Sequence, residues 1–165
     1  MRAVTPARID RLKLHIIAVG AMKSGPERDL FDDYAGRFRK SGKQLGFRGL
    51  TEVEVASGGG LQAEAMRIVA KIPAGARLIR LDEHGAQRKS IAFAKEIARL
   101  RDSGESDLVF LIGGAEGYGE AVKTAAPDTL SFGAATWPHK MVRAMLAEQL
   151  YRAASILAGT AYHKP

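Results

Sequence analysis

Asp107-Leu-Val-Phe-Leu-Ile112 runs without interruption into Gly113-Gly-Ala-Glu-Gly-Tyr-Gly119. The apolar run has the length of a strand buried on both faces, and it is far too short for a membrane span. Four glycines in the seven residues that follow suit a backbone that must approach a ligand closely or adopt positive φ. The pattern does not fit a dinucleotide fingerprint, because Val122 stands where a third glycine belongs after Gly117-x-Gly119, and it carries no Walker A lysine. A tight strand-to-helix turn with no ligand is the ordinary explanation of this loop taken alone.

Outward from this stretch the same alternation repeats. Leu12 to Gly20 (LKLHIIAVG) is a buried strand, and Ser24 and Glu27 have the spacing of a capping box for a helix whose apolar face is Leu30, Phe31, Tyr34 and Phe38. Thr51 to Ala56 is a second strand, and a triple glycine at 58–60 opens a helix carrying Leu61, Ala65, Ile68, Val69 and Ile72. Ala76 to Glu83 is a strand, Ser90 caps a helix to about Arg101, and a short helix at Glu120 to Ala126 precedes a strand at Thr129 to Phe132. A long helix closes the chain from near Pro138 to Ala158. Strands alternating with amphipathic helices predict an α/β fold, a mostly parallel sheet with helices on both faces. Ligands in such sheets lie outside the carboxyl ends of the strands. That rule selects the loops Leu81 to Gly85, Gly113 to Gly119 and Gly133 to Pro138.

The chain has 165 residues, one domain's worth, so a single domain is expected over 12–165 with residues 1–11 as a loose extension. There is no cysteine, which excludes disulfides, zinc-thiolate clusters and a cysteine nucleophile, and suits a cytoplasmic setting. The four histidines are scattered without metal-ligand spacing, and no metal is expected. Net charge is +7, and residues 1–50 hold eleven Lys and Arg against five Asp and Glu. A nucleic-acid partner and a merely solvated basic face explain that bias equally well.

In the third loop, Gly133-Ala-Ala-Thr-Trp-Pro138, small residues beside the chain's only tryptophan suit an apolar slot with backbone hydrogen bonds, although simple packing of Trp137 also accounts for it. On the last helix, Val142, Met145, Leu146, Gln149, Leu150, Ala153 and Leu157 form a stripe that is core or dimer contact. Glu148 and Arg152 are spaced i, i+4, ordinarily a surface ion pair. The closing Tyr162-His163-Lys164 can stack, exchange a proton and meet a phosphate, although such tails are ordinarily disordered.

LIGGAEG (Leu111 to Gly117), TWPHKMVRAMLAEQLYRA (Thr136 to Ala153) and YHKP (Tyr162 to Pro165), with weaker agreement at KLHIIAVG and LDEHG, together resemble the RlmH family, the ribosomal large subunit methyltransferase H proteins of the knotted SPOUT class. The resemblance covers Leu12 to the end. It implies a C-terminal trefoil knot, a homodimer, S-adenosylmethionine as donor, and methylation of N3 of a pseudouridine in 23S rRNA on the assembled ribosome, with neither DNA nor membrane as partner. Carried over by position, cofactor contacts fall on Leu81, Gly113, Gly114, Gly133, Ala134, Ala135, Thr136, Trp137 and Pro138. Catalytic roles fall on Glu148, Arg152, Tyr162 and His163, with His163 or Glu148 assisting removal of the N3 proton. His139, Arg143 and Lys164 are expected to meet RNA. Gly133 and Trp137 stand where relatives commonly have serine and leucine, and Ala115 replaces a usual proline. The alternatives are a non-catalytic ribosome or RNA-binding factor, and a SPOUT methyltransferase acting on another RNA such as tRNA.

Overall fold

The computed structural model describes residues 12–165, so the expected N-terminal extension lies outside the described residues. The elements follow in the order β1 (Leu12–Val19), α1 (Pro26–Gly42), β2 (Phe47–Val55), α2 (Leu61–Val69), β3 (Arg77–Leu81), α3 (Ser90–Asp102), β4 (Asp107–Ile112), α4 (Glu120–Ala125), β5 (Thr129–Leu130) and α5 (His139–Ala158). All strand pairs are parallel, in the spatial order β2-β1-β4-β3-β5. The period of two in β1 and β4 divides the core. Leu14, Ile16, Leu108 and Phe110 pack against Phe31 of α1, Phe93 of α3 and Leu146 of α5, while Ile17, Val19, Val109 and Leu111 pack against Ala65 of α2 and Val122 of α4. Helices thus cover both faces, as the alternation predicts.

Two expected caps do not form. Gly25, at φ 110°, is the N-cap of α1, and Pro26 begins the helix with no side-chain cap bond. A proline there has the helical φ built in and no N–H to satisfy, so a capping box at Ser24 and Glu27 has less to do. Ser90 is already inside α3, which Lys89 caps without a side-chain bond. The Ser90 hydroxyl instead donates 2.8 Å to Gln149 Oε1 on α5. β2 begins at Phe47, earlier than the alternation from Thr51 suggests, and Leu30 is half exposed instead of facing the core.

The carboxyl ends of the strands gather the three selected loops. The loop after β3 lies across β5: Ser131 N donates 2.8 Å to Ala86 O, Arg88 Nη1 donates 2.8 Å to Thr129 O, and Ser131 Oγ donates 3.1 Å to Glu83 O. The approach is so close that a Cβ on Gly85 would lie 2.6 Å from the Thr129 side chain.

Candidate active site

A cavity of about 490 Å³ opens at these carboxyl ends, within the range typical of small-ligand sites. Its walls are Leu81 to His84, Ile112 to Tyr118, and Gly133, Ala135, Thr136 and Trp137, with Val142 and His139 from the start of α5. Of the expected cofactor residues, Ala134 and Pro138 sit in the same loop but do not line the cavity. Thr136 Oγ1 donates 2.6 Å to Glu83 Oε2, joining the third loop to the first.

Tyr118 joins the second loop to the strand ends. Its buried hydroxyl is 2.6 Å from Leu81 O and 2.8 Å from Leu111 O, and burial raises its pKa far above the ordinary phenol range. Its ring also explains a glycine: a Cβ on Gly113 would come 3.0 Å from Tyr118 Cε1 and 2.8 Å from Gly117 O. At Gly114 the nearest atoms to a Cβ are Glu64 Oε2 at 3.0 Å and Val19 Cγ1 at 3.2 Å. Glu64 Oε2 is buried with no hydrogen-bond partner among the described residues. The cavity therefore offers apolar walls at Leu61, Ile112, Val142 and Trp137 and backbone groups at its glycines. Those features fit an adenosyl group.

A second cavity, about 640 Å³, lies between α3 and α5 and shares Leu130, Phe132 and Gly133 with the first. Glu148 and Arg152 line it, and the chain terminus folds back onto them. Arg152 Nε and Nη2 donate to Glu148 Oε1 at 3.0 and 2.6 Å, Tyr162 OH donates to the same oxygen at 3.0 Å, and Arg152 Nη1 lies 3.2 Å from His163 Nδ1. The hydrogen bond to Glu148 holds the Arg152 pKa above its ordinary value, against the effect of burial. Burial, followed by hydrogen bonds to Tyr34 and Glu148, pushes the Tyr162 hydroxyl well above the phenol range. The Tyr162 ring stacks 4.7 Å from Tyr151 and 4.8 Å from the Arg152 guanidinium. The four expected catalytic side chains are thus one connected cluster, while Lys164 beyond them is exposed.

Arg143 corrects an expectation. It is 1% exposed, and its guanidinium donates to Glu52 at 2.9 Å, Glu54 at 2.6 Å and Gly20 O at 3.2 Å, so it faces the interior and not RNA. Glu52 and Glu54 project from β2 at i, i+2 toward α1 and α5, where Arg28 and Arg143 meet them. Glu52 and Glu54 alternate along the edge strand β2, which marks one face of the strand without naming the cation that meets it. Ser90 and Gln149, which line the second cavity, carried no comparable signal.

A family model described as "Predicted SPOUT methyltransferase" matches residues 12–163. A "Ribosomal RNA large subunit methyltransferase H" from Hyphomonas neptunium is 61% identical over 153 residues, covering 93% of this chain and 99% of that protein. One of the same name from Dinoroseobacter shibae is 50% identical over 155 residues, with 93% and 99% covered. Among solved structures, the SpoU methyltransferase AviRb from Streptomyces viridochromogenes, in complex with AdoMet, aligns with a TM-score of 0.42 and 20% identity, over 97% of this chain and 64% of that one.

Proposed function

Because the chain belongs to the ribosomal RNA large subunit methyltransferase H family of SPOUT methyltransferases, we propose that it methylates N3 of a pseudouridine in 23S rRNA, on the assembled ribosome and with S-adenosylmethionine as donor. The observation that carries this reading is the junction of two cavities, one suited to the cofactor and one lined by Glu148 and Arg152, along the wall Leu130, Phe132 and Gly133. When bound, S-adenosylmethionine supplies a methyl group on a sulfonium, transferred by in-line displacement. Leu81, Gly113, Gly114 and the loop Gly133 to Pro138 hold it, chiefly by backbone groups and apolar contact, and close water out of the reaction path. Glu148, Arg152, Tyr162 and His163 meet the nucleotide, with His139 and Lys164 at the RNA surface.

The basic half of the chain supports a preference for the assembled ribosome over a bare RNA fragment. Arg28 is bound to Glu52, while Arg39 and Arg48 donate to Leu50 O and Ser106 O, so part of that charge is already engaged within the protein. Few phosphate contacts leave little affinity for a short RNA. The loop at 82–89 lying across residues 129–131 is the arrangement a trefoil knot needs, and the knot is part of this proposal.

The test has two parts. Gly114→Arg should abolish S-adenosylmethionine binding in calorimetry by filling the cavity, while its circular dichroism matches that of the parent. Mass spectrometry of rRNA from cells lacking the gene should show one pseudouridine without its methyl group. Unchanged cofactor affinity would refute the pocket, and intact rRNA methylation would refute the substrate.

A further inference from the structure

We infer that His163 serves this reaction as a neutral hydrogen-bond donor through Nε2, stabilising a carbonyl oxygen of the ionising imide, and that it does not take the N3 proton. The inference rests on the proposed methylation of an imide nitrogen. His163 Nδ1 lies 3.2 Å from Arg152 Nη1. A guanidinium has donors only and keeps its charge at any working pH, so Nδ1 must present its lone pair. A neutral imidazole carries one proton, which the arginine therefore places on Nε2. Protonating Nδ1 would break this bond and set a second cation against Arg152.

Arg152 is in turn held by Glu148. Glu148 Oε1 accepts three hydrogen bonds, from Arg152 Nε and Nη2 and the Tyr162 hydroxyl, and Oε2 accepts one from the Gln149 amide. The carboxylate thereby fixes the guanidinium that sets the His163 tautomer. Gln149 is fixed by the Ser90 hydroxyl, so the whole chain from α3 to His163 is braced. His163 Nε2 has no hydrogen-bond partner among the described residues and is free to meet a ligand. The charged and titratable groups around His163 are Arg152, Glu148 and Tyr162, with Tyr34 of α1 bonded to Tyr162, Arg37 of α1 stacked on Tyr151, and Lys164 next in the chain.

The N3 of a pyrimidine imide lies between two carbonyl groups, and loss of its proton spreads negative charge onto their oxygens. The proton passes to hydroxide or water. The N3 electron pair forms the new bond to the methyl carbon while the carbon–sulfur bond breaks and its electrons return to sulfur. An imide and a sulfonium thus become an N-methyl imide, a thioether and a released proton. A fixed N–H at the developing oxyanion, beside the Arg152 charge, favours ionisation without His163 acting as a base.

Single-turnover methylation of ribosomes, followed from about pH 6 to about pH 9, tests this in His163→Gln and His163→Ala. Glutamine carries an N–H donor at the reach of Nε2 and no base. His163→Ala should be slower than the parent by about 10²–10³, the usual loss for one oxyanion donor. His163→Gln should be at least ~10-fold faster than the alanine variant, with the parental pH profile. If glutamine is as slow as alanine, the donor role fails and the inference falls. Nitrogen-15 spectra of labelled histidine read the tautomer without activity: a bare Nδ1 and a protonated Nε2 are expected in the signal lost on His163→Gln, and a protonated Nδ1 would overturn the inference. Parent enzyme that binds S-adenosylmethionine but leaves pseudouridine unmethylated would refute the proposed function instead, and the spectrum would still decide the tautomer.

Discussion

Arg143 shows how much a single residue's role depends on what its charge meets. On the sequence it is a cation in the first turns of a helix that flanks a binding loop, a natural partner for RNA. In the fold it is the largest fully buried side chain among the described residues and ties the start of α5 to β2 and to the end of β1. Removing one member of such a buried pair leaves the other charge uncompensated, which typically costs about 3–5 kcal/mol. Arg143→Met should therefore lower the unfolding free energy extrapolated from urea denaturation, measured at fixed protein concentration, by about that amount. A stable Arg143→Met protein with weakened ribosome binding would instead return Arg143 to the RNA surface.

Between elements, the same network links β2 to α1 and α5, and it is sensitive to acid. Burial raises the Glu54 pKa, but hydrogen bonds from Arg143 and the Met22 N–H, with the charges of Arg143 and Arg28, outweigh it and leave the group below its ordinary value of 4.5. A carboxylate depressed on folding adds stability that is complete above the unfolded pKa and is lost as pH falls through the folded one. Stability should fall below about pH 4.5, and Glu54→Gln should flatten that slope in denaturation series across acidic pH. How far the sequence anticipates the elements follows the same physics. Strands β1 and β4 are legible because each buries a nearly continuous apolar run, and β4 matches its expected span from Asp107 to Ile112. Helix caps are less legible, since Pro26 and the Ser90–Gln149 bond override a local pattern with geometry and a distant partner. The loops that line the first cavity are legible because glycines at strand ends mark close approach. The pairing of Arg143 with residues about ninety positions away leaves no local mark.

At the scale of the whole molecule, the stripe on α5 does not by itself require a second subunit. Leu146, Leu150 and Ala153 are buried within the one chain. Among the exposed apolar side chains are Trp137, in the wall of the first cavity, and Met141, in the first turn of α5, each 39% exposed. A homodimer that covers them would place the partner at the edge of the site. Light scattering at micromolar concentration should return twice the chain mass of 17.7 kDa, and Met141→Glu should shift it toward the monomer. A monomeric parent would remove the dimer from the proposal.

Trp137 has a practical consequence of its own. It is the chain's only indole, and it stands in the wall of the cavity with part of its ring in water. Its ultraviolet emission therefore reports from one place alone, without the background that several tryptophans would add. On the proposed placement of the cofactor, the protein carries its own optical gauge of loading, one that needs no dye and can follow binding in real time by stopped flow.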